Sequence, residues 1–542
     1  MIGQTISHYK ITSKLSEGGM GEVYMASVPI WITNTHRGLR PPEAALEERR
    51  MNTEATRRLA VRNTVHNPGR TSVLLALVAS VFCLVLPVLA ADGQPLSEIQ
   101  QSWLGKAEKH EKAGWVYLHI EGGPRERGFQ HGYLLAKEIE KGIVATRTDW
   151  EYETATDWEW LQEKASKMFT RKIDKENLAE LDGIVEGMAA TGVTSSRDEI
   201  ITYNAYLELL WYWWPLELKK IKDGKVMFAK QSCSSFIATG SMTADGGVVL
   251  AHNTMLGYCL ALPNAIIDIA PDQGHRILMQ TWPGFIHSGT DFFITDAGLV
   301  GSETTIGWFE GFDPKGTPEF SRMRRATQDA DSIVEWCEIM KRHNNGGYAN
   351  AWLLGDVTTG EIARLELGLK YVGFERKRDG CFIGSNIAET PKILRFETTS
   401  PATDIRTSAV ARRVRWQQLM TQHTGQIDVE RAKQFEADHF DTYIGQDHPG
   451  ERALCAHWDL EDRPIQQWPT APNDAWGTLD AKVVDTKMAK RMSFAARWGA
   501  ACGTGFDAQK FLSEHPQFEW MKDILQSRPS QPWTEFTAGE KE

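Results

Sequence analysis

The sequence has 542 residues, of which 42% are hydrophobic and 24% are charged, and it contains 20 tryptophans. This composition is typical of a globular protein with one large core or two smaller ones, and it excludes a mainly disordered chain. The formal net charge is -11 and the C-terminal two-thirds carry no long basic face, so we expect no nucleic-acid partner.

The first 27 residues, MIGQTISHYKITSKLSEGGMGEVYMAS, resemble the start of a bacterial serine/threonine protein kinase with its glycine-rich loop. Ser16 stands where the first glycine of that loop is expected, and no VAIK, HRD or DFG motif follows. Phosphoryl transfer needs the missing lysine and magnesium ligands. We therefore interpret residues 1–27 as a non-functional kinase-like fragment, and we expect the polar, Arg-rich residues 28–70 to be a disordered basic segment.

Residues 71–91 have the pattern of a signal peptide. An apolar run extends from Val73 to Leu86, arginines precede it, and small residues follow near Ala90. Runs of this length are more typical of a cleaved signal than of a spanning helix, although a retained membrane anchor is the alternative. The segment predicts a secreted or periplasmic protein, or a membrane-anchored one if it is retained.

The part of the chain from residue 92 to 232 is predicted to be mainly helical. Trp115 to Ile120 alternates like a strand, a turn then leads into a helix, and helical spacing continues from Trp158 to Ala190. The aromatic run Trp211 to Trp214 suits packing in a core or interface, and the alternative is the wall of a site for an apolar substrate.

Beyond Lys219 the pattern becomes sheet-rich. The segment CSSFIATGSMTADGGVVLAHNTM, from Cys233 to Met255, predicts a hairpin with an Asp-Gly-Gly turn. Further elements are predicted as strands at Ile277–Gln280, Phe292–Thr295, Ala351–Leu354 and Ile362–Leu367 and near Val483 and Phe494, and as a helix at Ala409–Met420. Helices first and strands later indicate the α+β class.

Cys233 occupies the first position of this hairpin. A buried structural cysteine is the usual role of such a residue. If the peptide bond between Ser232 and Cys233 breaks, however, the freed α-amine has an ordinary pKa of about 7.7–8.0, which suits a general base at neutral pH. One residue would then supply both the nucleophile and its base.

The motifs around Cys233 resemble the phospholipase B-like proteins, which are N-terminal nucleophile (Ntn) hydrolases. The similar segments are CSSFIATG, AHNT, WPGFIHSGTDFFIT, GSETTIG, NNGGYANAWLLGDVTTGEIARLELG and LDAKVVDTKMAKRMSFAARWG. The resemblance implies a four-layer αββα sandwich of antiparallel sheets, self-cleavage between Ser232 and Cys233, and hydrolysis of fatty-acyl ester or amide bonds through a thioester on Cys233. The chain from 92 to 232 would then be a helical partner of the catalytic chain from 233 to 542.

A second resemblance is to penicillin acyltransferase-like autoproteolytic cysteine peptidases, carried by RGFQHG, LCAHWDLED and CGTGF. The sequence departs from that family at His252-Asn253-Thr254, where an Asn-Trp-Asp type run is expected. Two alternatives stay open beside the phospholipase B-like hydrolase. They are an amidase or acyltransferase on N-acyl amides and a non-catalytic lipid-binding envelope protein.

The first resemblance also implies roles for residues other than Cys233. Asn350 would donate to the oxyanion, and His252 and Asn253 would face Cys233 and orient its amine or assist self-cleavage. Residues expected to line the substrate pocket are Thr304, Thr305, Asn386 and Trp282, while Glu303 is expected to be structural. We interpret Arg412, Arg413 and Arg415 as a solvated helix face, with binding of a carboxylate or phosphate as the alternative.

No cofactor and no metal ion are predicted, because the sequence contains neither a CxxC pair nor an HExxH motif. The expected partner is an acyl lipid or an N-acyl amide substrate, and a lipid substrate implies contact with a membrane surface. The pairing of the cysteines and the oligomeric state stay open.

Overall fold

The structure is a computed structural model, and it describes residues 5–6, 9–18, 21–27, 95–221, 233–260, 264–462 and 472–541. The chain divides into two compact units, Met1–Pro87 and Val88–Glu542. In the first unit β1 (Thr5–Ile6), β2 (Tyr9–Gly18) and β3 (Gly21–Ser27) form an antiparallel sheet in that order. The predictions for residues 28–70, residues 71–91 and Ser232 concern parts of the chain outside the described residues.

The second unit contains the helices and strands of a mixed fold. Its described helices are α1 (Glu98–Leu104), α2 (Pro124–Leu134), α3 (Ala136–Thr154), α4 (Trp158–Phe169), α5 (Lys175–Ala190), α6 (Arg197–Asn204), α7 (Tyr206–Glu208), α8 (Trp214–Ile221), α9 (Glu319–Asp329), α10 (Ile333–Lys341), α11 (Pro391–Phe396), α12 (Ser408–Gln422), α13 (Val429–Glu436), α14 (Thr486–Ala489) and α15 (Ala508–Glu514). Its described strands are β4 (Glu108–Lys112), β5 (Trp115–Gly122), β6 (Ser234–Thr239), β7 (Val249–Gly257), β8 (Ala265–Pro271), β9 (Ile277–Thr281), β10 (Phe292–Thr295), β11 (Leu299–Thr305), β12 (Asn350–Asp356), β13 (Glu361–Leu367), β14 (Val372–Lys377), β15 (Gly380–Gly384), β16 (Phe440–Asp441), β17 (Gln446–Asp447), β18 (Trp476–Asp485), β19 (Ser493–Trp498) and β20 (Thr534–Thr537).

The larger sheet has nine strands in the order β14-β13-β12-β11-β10-β9-β8-β5-β4. All neighbours are antiparallel except β5 and β8, which run parallel. The expectation of purely antiparallel sheets is therefore wrong at this pair. The mainly helical part of the chain before Cys233 also contributes two strands, because the strand predicted at Trp115–Ile120 is present as β5 and completes this sheet together with β4. A parallel pair needs a long crossover, and the helices that follow β5 lie in that connection.

The smaller sheet is antiparallel and has six strands in the order β15-β6-β7-β18-β19-β20. It packs face to face on the larger sheet, and the hydroxyls of Ser235 and Ser302 meet between them at 2.7 Å. Phe236, which points to the opposite face of β6, packs on Trp416 of α12 at a ring-centroid distance of 5.1 Å.

The larger sheet is covered on its other face by α10, where Trp336 packs on Trp352 of β12 at a ring-centroid distance of 4.9 Å. The layers thus stack in the order helices, sheet, sheet and helices, and the predicted four-layer α+β sandwich is confirmed. Within the described ranges, no helix is both long enough and apolar enough to cross a membrane.

The aromatic run before Cys233 lies inside this architecture. Trp211 to Trp214 are all buried, and Trp214 packs edge-on against Trp150 at 5.5 Å between ring centroids. The packing role predicted for these residues is confirmed. A π-helix spans Leu209–Trp213 and places Trp211 6.3 Å from the ring of Tyr348.

Candidate active site

Cys233 lies directly before β6 and is only 2% exposed. Its φ angle is 82°, in the left-handed region that a residue with a Cβ atom rarely adopts. Such a conformation costs about 1–3 kcal/mol and persists only where the surroundings hold it. The backbone at the candidate nucleophile is therefore strained in the uncut chain.

Side chains alternate between the two faces of the smaller sheet, and this alternation decides which of them lie near Cys233. Ser235 pairs with His252, and the hydroxyl of Ser235 contacts the larger sheet. Ser234 pairs with Asn253, and its hydroxyl instead accepts a hydrogen bond from Trp416 in the helix layer at 2.8 Å. His252 therefore faces the interior between the sheets, while Asn253 faces the helices.

A thiol, an imidazole and a carboxylate converge at this interior position. The Cys233 sulfur, a ring nitrogen of His252 and a carboxylate oxygen of Asp291 all lie within 4.8 Å of one another. Burial, and next the ammonium of Lys482, hold the pKa of His252 well below its usual range. A neutral imidazole beside a thiol has a lone pair that can accept the thiol proton.

Two carboxyl groups and a tyrosine complete the surroundings of the thiol. Burial, and then the nearby Asp291, raise the pKa of Glu303 well above its usual range, and Cys233 adds a smaller effect. Burial also raises the pKa of Asp291, whose Oδ2 accepts a hydrogen bond from the Tyr348 hydroxyl at 3.1 Å. The structural role expected for Glu303 stays a prediction, and its carboxyl lies in the surroundings of the candidate nucleophile.

Arg412 holds the backbone of Cys233. Its Nη1 donates to the Cys233 carbonyl oxygen at 2.7 Å, its Nη2 donates to Asn386 Oδ1 at 2.7 Å, and its Nε donates to Ser408 Oγ at 3.0 Å. Burial lowers the pKa of Arg412 to about 10, so the guanidinium stays charged at neutral pH. The expectation of a solvated face is wrong here, since Arg412 is 1% exposed.

The other two arginines of α12 are partly exposed and make ordinary ion pairs. Arg413 pairs with Glu389 at 2.7 Å and Arg415 pairs with Asp438 at 2.6 Å. One arginine of the three therefore turns inward, because α12 packs on the smaller sheet and only one of its faces is solvated.

Asn386 and Thr305 extend the contacts of Arg412 to the larger sheet. The side-chain amide of Asn386 donates to the Thr305 carbonyl oxygen at 2.8 Å, and Thr305 pairs with Asn350. Asn350 is fully buried, and neither its Oδ1 nor its Nδ2 has a hydrogen-bond partner among the described residues. A buried amide without partners is costly unless it serves a ligand, and its role as an oxyanion donor stays a prediction.

Asn253 is placed differently from the expectation. Its side-chain amide donates to the carbonyl oxygens of Glu436 at 2.8 Å and Leu454 at 2.9 Å. The prediction that Asn253 faces Cys233 together with His252 is wrong, because consecutive residues of a strand point to opposite faces.

Of the other two residues predicted to line the pocket, Thr304 lies between the sheets and Trp282 lies elsewhere. Thr304 lies on the inner face, close to Gly384 of β15, and its hydroxyl has no partner among the described residues. Trp282 packs on Phe285 and lines a small cavity with Tyr203. Neither Cys233 nor His252 belongs to the lining of that cavity, so it is not a pocket of the candidate nucleophile.

Lys482 is a site residue that the sequence reasoning missed. Its ammonium is fully buried and donates to Thr254 Oγ1 at 2.6 Å, Gln280 Oε1 at 3.1 Å and Asp480 Oδ1 at 2.5 Å. It also pairs with His252 across β7 and β18. A usable signal was present, because Asp480 and Lys482 stand at alternate positions of an otherwise apolar run from Leu479 to Val484.

The arrangement can support nucleophilic chemistry at the Cys233 sulfur. Cysteine, histidine and aspartate are also zinc-ligand types, and three protein ligands with an open fourth position characterise catalytic zinc sites. The strained backbone at Cys233 and the arginine fixed on its carbonyl are features that a metal site does not require.

Residues 126–365 match the family model described as phospholipase B. The motif-based resemblance to that family is thus confirmed over this range, which includes Cys233, His252, Asp291 and Asn350 but not Arg412.

Individual relatives are distant and match in part. A putative phospholipase B-like 2 of Bos taurus is 32% identical over 26% of this chain and 26% of its own length. An uncharacterized protein of Archaeoglobus fulgidus (strain ATCC 49558 / DSM 4304 / JCM 9628 / NBRC 100126 / VC-16) is 26% identical over 43% of this chain and 40% of its own length. The chain thus spans between 26% and 40% of the length of these curated relatives.

Among solved structures, a mutant of the conjugated bile acid hydrolase from Clostridium perfringens is similar to this chain. It has 12% sequence identity and a TM-score of 0.32, and the match covers 49% of this chain and 89% of that one.

Proposed function

We propose that the chain is a phospholipase B-like acyl hydrolase whose nucleophile is the thiol of Cys233. The observation that carries the proposal is the convergence of the Cys233 sulfur, a His252 nitrogen and an Asp291 oxygen within 4.8 Å. The match of residues 126–365 to the phospholipase B family model supports it.

The first step of the proposal is self-cleavage. The neutral imidazole of His252 takes the thiol proton, and the thiolate attacks the carbonyl carbon of Ser232. The peptide C–N bond breaks as a thioester forms, and the Cys233 nitrogen receives a proton and becomes an amine. Water then hydrolyses the thioester, leaving a carboxylate on Ser232 and a free thiol. The left-handed backbone of Cys233 favours this step, because cutting the chain releases the strain.

The second step is turnover of an external substrate. The new α-amine accepts the thiol proton, and the sulfur attacks the acyl carbonyl to form a tetrahedral oxyanion. The side-chain amide of Asn350 donates to that oxyanion and lowers the activation barrier by about 3 kcal/mol. The leaving group departs with a proton, and water hydrolyses the acyl thioester.

We propose fatty-acyl glycerophospholipid esters as the substrates, since phospholipase B is the name of the matching family. We also propose that the protein is secreted and meets its substrate at a membrane surface. Linear N-acyl amides react by the same chemistry, so the assay below includes them as a second substrate class.

Turnover by the purified full-length protein tests the proposal. Wild type, Cys233→Ala and a control, Cys381→Ala in the edge strand β15, are incubated with lysophospholipid and with an N-acyl amino acid. Wild type and the control are expected to release fatty acid from the lysophospholipid, whereas Cys233→Ala is expected to release none. Release from the amide alone would replace the phospholipase assignment by an amidase. Lipid binding without turnover by any variant would overturn the enzymatic proposal.

A further inference from the structure

A second cluster of reactive side chains lies outside the Cys233 site, on the outer side of the smaller sheet. It consists of His439 before β16, Cys455 and His457 in the loop before β18, and Cys502 after β19. One donor atom from each of these four side chains lies within 4.8 Å of the others. Cys455 and His457 are buried, and His439 and Cys502 are partly exposed.

Two distances within this cluster fit a tetrahedral coordination sphere. The Nε2 atom of His457 lies 3.5 Å from the Cys455 sulfur and 3.4 Å from the Cys502 sulfur. Zinc–sulfur and zinc–nitrogen bonds of about 2.3 and 2.05 Å at a tetrahedral angle separate sulfur from nitrogen by about 3.6 Å. The Cys455 and Cys502 sulfurs and the His457 nitrogen thus stand close to the positions that a central ion requires, and the donor atom of His439 lies within 4.8 Å of them.

The contacts around Cys502 suit a thiolate. The backbone N–H of Thr504 donates to the Cys502 sulfur at 3.4 Å, and the Thr504 hydroxyl lies 3.2 Å from the same sulfur. Contacts of this kind orient a ligating sulfur and tune its basicity. Cys455 and Cys502 are both thiols rather than halves of a disulfide, so both sulfurs of the cluster are available as ligands.

We propose that His439, Cys455, His457 and Cys502 bind one zinc ion as a structural site. Thiolate and imidazole ligands in a tetrahedral set select zinc, and four protein ligands leave no open position for a substrate. Two thiolates and two neutral imidazoles also balance the charge of the divalent ion. This site revises the expectation that the chain binds no metal, which rested on the absence of CxxC and HExxH motifs.

The proposed site closes a loop that supports the Cys233 region. Leu454, next to Cys455, accepts a hydrogen bond from Asn253, and Glu451 in the same loop accepts one from Ser408, which in turn contacts Arg412. Zinc would therefore fix the segment on which Asn253 and Arg412 depend. Loss of the ion is expected to lower the stability of the whole unit.

The metal content of the full-length protein, purified with a thiol reductant, tests the proposal. Wild type and the control Cys381→Ser, outside the cluster, are expected to carry zinc at a ratio near one ion per chain. Cys455→Ser and Cys502→Ser are expected to lose most of it. Replacement of the ion by Co²⁺ is expected to give the sulfur charge-transfer and intense visible absorption of a tetrahedral thiolate site.

The main competitor is a disulfide between Cys455 and Cys502. Peptide mapping without reductant, on protein exported to an oxidising compartment, decides between them. A Cys455–Cys502 disulfide together with zinc-free protein would overturn the proposal. If the serine variants do not fold, Cys502→His keeps four ligands and is expected to retain cobalt with weaker charge transfer. A wild-type protein without a tetrahedral cobalt spectrum would also overturn the proposal.

Discussion

Arg412→Lys tests the assembly of the candidate site through one buried contact. The guanidinium donates to three buried acceptors, which are the Cys233 carbonyl, Asn386 Oδ1 and Ser408 Oγ. A lysine reaches one of them and removes the charged donor from the other two, and a hydrogen bond to a charged group contributes about 1.5–3 kcal/mol. The substitution is therefore expected to lower the free energy of unfolding by about 3 kcal/mol.

The stability measurement belongs in a Cys233→Ala background, so that self-cleavage does not change the species being unfolded. Alanine keeps the carbonyl that Arg412 contacts. Urea unfolding is followed by tryptophan fluorescence, and Arg413→Lys on the same helix is the matched control. Because Arg413 pairs with Glu389 near solvent, its replacement is expected to cost no more than about 1 kcal/mol.

The effect of Arg412→Lys on self-cleavage is measured in the chain that keeps Cys233. A displaced nucleophile reduces rates steeply, about 100-fold for a shift of 1 Å. Self-cleavage of Arg412→Lys, followed on denaturing gels, is therefore expected to be slower by about that factor, while Arg413→Lys cuts normally. Equal stability and equal cleavage of the two variants would refute the positioning role of Arg412.

Four further substitutions probe the remaining groups of the site. His252→Gln removes the proton acceptor and is expected to slow self-cleavage by about 10²–10⁴-fold on gels, and an unchanged rate would assign the base elsewhere. Asn350→Ala is expected to lower kcat by about 10²–10³-fold with little loss of stability. Asn253→Ala breaks two buried hydrogen bonds and is expected to lower the unfolding free energy by about 1–3 kcal/mol. The reverse pattern would exchange the roles of the two residues. Glu303→Gln tests the raised pKa of Glu303. The wild type binds this proton more tightly when folded, so it loses stability as pH rises above about 4.3, at up to about 1.4 kcal/mol per pH unit. The stability advantage of the glutamine variant is thus expected to grow between about pH 5 and 7 in urea titrations, and parallel curves would contradict the shift.

The sheet-rich part of the fold follows closely from local patterns in the sequence. The predicted hairpin at Cys233 is present as β6 and β7, and the run at Phe292–Thr295 is β10 with the same bounds. The helix expected at Ala409–Met420 is α12, which extends from Ser408 to Gln422. These elements are predictable because their periodicity reflects burial of one face, which the residues themselves encode.

The pairing of distant strands is not encoded in this local way. The strand predicted at Trp115–Ile120 joins a sheet through β8, about 150 residues further along the chain, and runs parallel to it. The helical pattern at Trp158–Ala190 also divides into α4 and α5, because residues between them form a turn. Tertiary contacts decide both outcomes.

The residues of the candidate site also differ in how well the sequence predicts them, depending on whether they are close to Cys233 along the chain. The placement of His252 near Cys233 could be predicted, because both belong to one hairpin. Asp291, Arg412 and Lys482 reach the same space from distant segments, so single motifs could not identify them. The opposite orientation of Asn253 was available from strand alternation, since it directly follows His252.

The central claim is tested most directly by the intact mass and N-terminal residue of the purified full-length protein. Self-cleavage predicts two chains in the wild type, of which the second begins at Cys233, and a single uncut chain in Cys233→Ala. An uncut wild-type chain that hydrolyses acyl esters at full rate would contradict it, as would a second chain that begins at any other residue.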